Sequence, residues 1–356
     1  MKKTIPMILA AAAIALAACS KDGAEAPSAT DGEGVIEISV APQEGPGTKA
    51  VSAYTTAQTY ETQLNSVQVF VFGDDGKLNA YRAIGSATSV SISVTTGEKT
   101  VYAVANGPDL KAVKTLTELE STALDLSANS TDASKGFVMA GKKSCTVSSG
   151  TTPSNCSVAV SRLAVRVALQ SVTNSLPSAY GALKVERVFL ANVVGNQNVA
   201  GTAAASTWYN QEGRKDETAR DAAHIIDGST YKASCPELTF RTVGTSVNNG
   251  ASLTPSTPYL MYSYPNSSTV TSTGFHAAFS AQRTVLVIAA TVDGKLGYYP
   301  VILDRSILER NTTYTVAVTI TDVGSSDPGK EVEKGSISVS VSVDGWKTGS
   351  TYDETI

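Results

Sequence analysis

Hydrophobic and polar residues alternate strictly along two stretches near the ends of the chain. Late in the sequence, Ile337, Val339, Val341 and Val343 alternate with Ser336, Ser338, Ser340 and Ser342. Early on, Ile36, Ile38 and Val40 fall on one side of the run 35–40, with Glu37 and Ser39 on the other. A period of two is that of a β-strand with one face in a core and the other in water. The late run closes at Trp346 and only Lys347 to Ile356 come after it, so it is expected to pair with an earlier segment or with another chain. The two runs read as alternative occupants of one kind of slot.

Between them the pattern predicts strands over 66–72, 77–84, 89–94, 98–105, 137–140 and 156–169. Further strands are predicted over 183–194, 260–264, 284–292, 298–303 and 314–320. Gly73 to Gly76 and the Asp293-Gly294 pair carry tight-turn signals. Leu116, Leu119, Leu124 and Leu126 predict one short helix. A long polar surface excursion is expected over 196–232, around Trp208. The stretch 171–181 holds Pro177 and Gly181 without an apolar period and is expected to form a domain boundary. In the stretch 41–50, Pro42, Gly45, Pro46 and Gly47 precede the lone Lys49. That is the composition of an exposed, extended loop where proteases cut.

A chain of 356 residues has room for two sandwich-sized domains, each with its own core. Its richness in Thr, Ser, Val and Ala adds to the expectation of an all-β fold. A net charge of −4 without a basic cluster gives no electrostatic reason to bind nucleic acid.

Lys2 and Lys3 followed by the apolar run Ile5 to Ala18 form a targeting segment, too short to span a membrane as a helix. Leu16-Ala17-Ala18-Cys19 resembles the lipobox of bacterial lipoproteins, in which Cys19 is acylated and becomes the N-terminus. The alternative is an ordinary signal peptide with an incidental Cys. Residues 20–34 read as a flexible tether. Export implies an oxidising compartment. Cys145 and Cys156 flank a Ser/Thr/Gly/Pro stretch read as a long hairpin loop, and a disulfide across its base would leave Cys235 over. The alternative is three reduced thiols.

Catalysis finds little to work with. His224 and His276 are the only histidines, and no Cys-x-x-Cys pair, nucleophile elbow or phosphate loop is present. No catalytic residue, metal or cofactor is therefore predicted. Asp74 and Asp75 fit a turn better than a carboxylate pair, and Arg310-Asn311 fits a turn leading into a strand. Trp208 with Tyr298-Tyr299 could stack on sugars, which supports the rival expectation of a surface-anchored glycan-binding lipoprotein. Asn129 and Asn311 head glycosylation sequons.

Several phrases resemble the fimbrillin family, the FimA-type lipoprotein precursors of protease-matured (type V) pili of Gram-negative anaerobes. They are 101–106 (VYAVAN), 137–141 (FVMAG), 160–167 (VSRLAVRV), 262–266 (YSYPN), 310–314 (RNTTY) and the last alternating run closing on Trp346. The resemblance implies two transthyretin-like β-sandwich domains in tandem, taken as 35–170 and 171–356. It implies a cut in the loop after the first strand by a trypsin-like protease, which in the family commonly follows Arg. No Arg lies between Cys19 and Arg82, so the matching position is Lys49, with Ala50 as the new N-terminus. The cut would remove Ile36, Ile38 and Val40, and the donated strand of a neighbour would carry Ile337, Val339, Val341 and Val343. The implied life history is an outer-membrane lipoprotein precursor (palmitate on Cys19), then a cell-surface fimbrium that supports adhesion. The implied partners are copies of the chain, other fimbrial subunits, the protease, and the outer membrane through the lipid. A minor or tip adhesin is the alternative within the family.

Overall fold

A computed structural model describes residues 32–43, 57–210, 235–266, 283–303, 308–326, 337–344 and 351–354, with backbone alone for 337, 342–344 and 351–354. The first half runs β1 (Glu33–Pro42), α1 (Thr59–Thr62), β2 (Val67–Phe72), β3 (Leu78–Gly85), β4 (Ser89–Thr95), β5 (Gly97–Ala105), α2 (Leu116–Ser121), β6 (Ala123–Asp125), β7 (Met139–Val147) and β8 (Gly150–Arg162). The second half begins with β9 (Val165–Asn174), β10 (Leu183–Ala191), β11 (Val193–Val194), β12 (Asn196–Asn198), β13 (Trp208–Tyr209), α3 (Pro236–Thr239), β14 (Phe240–Val247) and β15 (Ser252–Leu253). It ends with β16 (Tyr259–Ser263), β17 (Val285–Val292), β18 (Lys295–Ile302), β19 (Thr313–Ile320), β20 (Ile337–Asp344) and β21 (Thr351–Glu354). The all-β expectation holds.

One seven-stranded sheet takes up most of the first half, in the order β3-β2-β5-β7-β8-β1-β4. Its edge strands meet where Asn79 Oδ1 accepts the Thr95 backbone N–H at 3.0 Å, so the sheet curls round a core of its own. Alternate residues explain the two faces. Val67, Val69 and Val71 of β2 and Val101 and Ala103 of β5 point into that core with β1. Phe70, Phe72, Tyr102 and Val104 point the other way, into a larger core shared with the second half.

The second half holds a four-stranded sheet, β14-β10-β17-β18, and a sheet in the order β15-β9-β19-β20-β21 with β16 also on β9. Asp293 and Gly294 turn β17 into β18 with φ of 48° and 77°, the positive values a two-residue hairpin loop requires. The predicted strand 156–169 is in fact two, broken at Leu163-Ala164 where the chain passes from one sheet to the other. The second-half sheet thus takes β9 from before the stretch 171–181. The halves also interlock through β6, which pairs with β12.

Candidate functional site: the slot of the first strand

β1 is an interior strand, although it lies near the start of the chain. It pairs with β4 antiparallel from Glu33↔Thr95 to Ser39↔Ser89 and with β8 parallel from Gly34↔Gly150 to Pro42↔Val160. Ile36 and Ile38 are wholly buried and Val40 nearly so, against Ile92, Val94, Cys156 and Val158. The opposite face carries Glu37 and Ser39 in water, and Ser39 Oγ lies 2.8 Å from Ser157 Oγ. Beyond the strand, the Gln43 backbone N–H donates to Val160 O at 2.7 Å. The slot is therefore lined by apolar side chains below and by two rows of backbone donors and acceptors at its sides. Only an extended chain with apolar residues at alternate positions satisfies both.

The late alternating run is a strand, but the expectation that nothing after it pairs with it is corrected. β20 lies antiparallel to β19, from Thr313↔Asp344 to Ile320↔Ile337, and on its other side carries β21, from Val339↔Glu354 to Ser342↔Thr351. Val339 and Val341 face Val318 and Val316 and are buried in the large core. The chain's own core thus includes this strand, because its valines meet valines across the ladder. The side chains of Ile337 and Val343 fall outside the described residues, as do Cys19, Lys49 and Ala50 altogether.

α1, the first element described after β1, inserts a charge between the halves. Glu61 is wholly buried and meets the equally buried Arg166 of β9 at 2.8 Å. Its other carboxylate oxygen accepts from Tyr262 Oη at 2.7 Å, and Tyr60 Oη lies 3.0 Å from Tyr262 Oη. Arg166 Nε donates to Thr313 Oγ1 at 2.9 Å, and a guanidinium nitrogen of Arg162 donates to Asn311 Oδ1 at 3.0 Å. Burial, followed by the nearby Glu61 charge, raises the Tyr262 phenol well above its usual range. Burial pushes Arg162 down to about 10, against the opposing pull of Glu61. This cluster, a polar lock across the junction, escaped the sequence reading. Its signal was two arginines inside the apolar run 160–167, since a charge in a buried strand demands a partner.

The remaining candidates resolve plainly. Cys145 and Cys156 are bonded to each other with their Cα atoms 6.1 Å apart, and Cys235 is a free, half-buried thiol. The long loop expected between the bonded pair is instead a tight turn, since β7 runs to Val147 and β8 starts at Gly150. Their Ser and Thr residues line the wet sides of strands. No sugar platform forms. Tyr299 is wholly buried with its hydroxyl donating to Asp322 O at 3.1 Å, Tyr298 is buried on the other face of β18, and Trp208 packs on the large core. Asp75 holds a turn by accepting from the Lys77 N–H, and Asn311 takes the left-handed φ of 55° just before β19 begins. Asn129 is buried with its amide donating to Leu126 O, so that sequon is closed to glycans. Among the described residues no group of three or more His, Cys, Asp or Glu could hold a metal.

The architecture is an interlocked all-β chain whose first strand completes a sheet from within. Residues 35–155, about a third of the chain, match the family model described as major fimbrial subunit protein (FimA). The resemblance to fimbrillins read from the sequence is borne out. No match was found among curated proteins. Among solved structures, the chain is similar to a fimbrilin from Porphyromonas gingivalis W83, with a TM-score of 0.62 and 15% identity over 88% of this chain and 97% of that one. It is also similar to a protein from Bacteroides eggerthii DSM 20697 provisionally described as a cell adhesion protein, with a TM-score of 0.61 and 21% identity over 91% and 98% of the two chains. At such identities these two likenesses are of fold. The family match falls on the half of the chain that holds β1 and its slot.

Proposed function

We propose that this chain is the structural subunit of a cell-surface fimbria of the type V pilus kind. It is exported as a lipoprotein acylated at Cys19, trimmed after Lys49 by a trypsin-like protease, and polymerised by strand exchange to support adhesion. Its two sandwiches, the second beginning with β9, are transthyretin-like. The observation that carries the reading is the position of β1. It fills an interior slot, yet every residue of it precedes Lys49, so one cut removes it entirely.

Ile36, Ile38 and Val40 each contribute about 1.5–3 kcal/mol by burial, and each ladder hydrogen bond about 1 kcal/mol. Together these rival the whole net stability of a domain, about 5–15 kcal/mol. An emptied slot therefore demands a new extended strand, which a neighbour can supply by donor-strand complementation. The run Ile337, Val339, Val341 and Val343 has the matching alternation. To serve as donor it must leave β19, so assembly would exchange one ladder for another.

The test is Lys49→Ala in the native host, with N-terminal sequencing and electron microscopy of the surface material. Wild-type filaments should begin Ala50-Val51-Ser52, and mass spectrometry of the precursor should find acyl chains on Cys19. The variant should remain as membrane-held monomers. Filaments built from Lys49→Ala chains with an intact N-terminus would overturn the proposed trigger.

A further inference from the structure

The wall of the slot has a weakness that the disulfide offsets. β8 has two ladder partners among the described strands. With β1 it shares eight registered positions, from Gly150 to Val160, whereas with β7 it shares two, Met139↔Arg162 and Ala140↔Ser161. Beyond Ala140 the two strands stay side by side but register no further ladder pair. Gly141 still lies close to β8, where a Cβ would come within 1.9 Å of Ala159 O, but no ladder follows. Once β1 is removed, the stretch 150–160 of β8 keeps no ladder partner among the described strands.

Five residues further along each strand from the Ala140↔Ser161 pair, the same register sets Cys145 opposite Cys156, and there the two are covalently joined. Cys145 sits on β7, which β5 holds over nine registered positions from Gly97↔Val147 to Ala105↔Met139. Cys156 sits on β8 as the register partner of Ile38, in the middle of the strand to be removed, with its side chain buried in the slot's own core. A covalent tie thus replaces the ladder at the place where the loss of β1 would leave β8 free.

We infer that Cys145–Cys156 is a clasp that holds the β8 wall in register after trimming, so that the emptied slot can receive a donor strand. The uncut precursor depends on it far less, because β1 holds β8 from the other side. The inference rests on the reading of β1 as the strand removed. It assigns the two cysteines a positioning role in subunit joining that the precursor's fold does not require.

The test compares uncut and trimmed subunit, each oxidised or reduced, by amide hydrogen exchange of residues 154–158 and by filament yield. A water-soluble phosphine supplies the two electrons that convert the S–S bond into two thiols; it takes an oxygen from water, whose protons go to the sulfurs. A Cys145→Ala/Cys156→Ala chain, blind to phosphine, serves as second variant. In the trimmed subunit, reduction or the double substitution should lower protection of those amides by roughly tenfold or more, and filament yield with it. In the uncut chain the same amides should stay protected. Equal protection and equal yield in oxidised and reduced trimmed subunit would overturn the clasp, as would equal loss in cut and uncut chains. If the oxidised trimmed subunit fails to polymerise at all, strand exchange is refuted while the exchange contrast still decides the clasp.

Discussion

Replacing Ile38 by Ala measures how firmly the first strand is held. Ile38 is wholly buried, with Cys156 beside it on one neighbouring strand and Val90 on the other. Truncation loses the transfer energy of the missing carbons and leaves a cavity, together about 2–5 kcal/mol. For a cooperative unit of 150–250 residues, each kcal/mol moves the melting midpoint by about 2–4 °C. The uncut Ile38→Ala chain should therefore melt about 4–20 °C below the parent. Glu37→Ala, one residue away on the wet face, should stay within about 0.5 kcal/mol. The assay is thermal melting by circular dichroism of purified chain from Ser20 onward, before and after limited trypsin treatment. After trimming, variant and parent share one sequence from Ala50, so their melts and filament yields should coincide. An uncut Ile38→Ala chain melting within about 2 °C of the parent would refute the tight seating of β1.

Val341→Asp places a carboxylate opposite Val316 in the chain's own sheet, which costs several kcal/mol. It should lower the melt of the trimmed monomer as well as abolish filaments, whereas exposed Ser340→Asp should do neither; an unchanged Val341→Asp monomer would contradict the seating of β20 on β19. Glu61→Gln leaves Arg166 buried without its carboxylate and should cost about 3–5 kcal/mol. Adding Arg166→Met should recover some of that loss, and a double-mutant cycle by urea unfolding that finds the two changes additive would refute the coupling.

The elements were legible where the pattern is local. Ile36, Ile38 and Val40 announced β1 by period alone, and Asp293-Gly294 announced its hairpin because few residues accept positive φ. What pairs with what was not legible. β1 lies beside β8, more than a hundred residues on, and nothing within either strand names the other. The polar strands around the 148–149 turn read as a loop because their outward Ser and Thr residues lack apolar alternation until Cys156. By pattern alone the late run fits a slot elsewhere as well as its own partner, β19, whose sequence offers no mark of preference. Glu61 gave no sign at all, lying in a one-turn helix whose charged partner, Arg166, stands on a strand far along the chain.

The two ladders flanking β1 run in opposite senses, β8 parallel to it and β4 antiparallel. An occupant that satisfies both rows of backbone groups has one permitted direction, and a reversed strand would break both registers. A joint made from one copy's tail and another copy's slot therefore unites unlike surfaces, and such contacts propagate instead of closing into a pair. Every copy so joined would face the same way. Under the proposed exchange the array would be vectorial, with an unfilled slot at one extremity and an undonated tail at the other, so that elongation, capping and attachment to the cell would each have a chemically separate address.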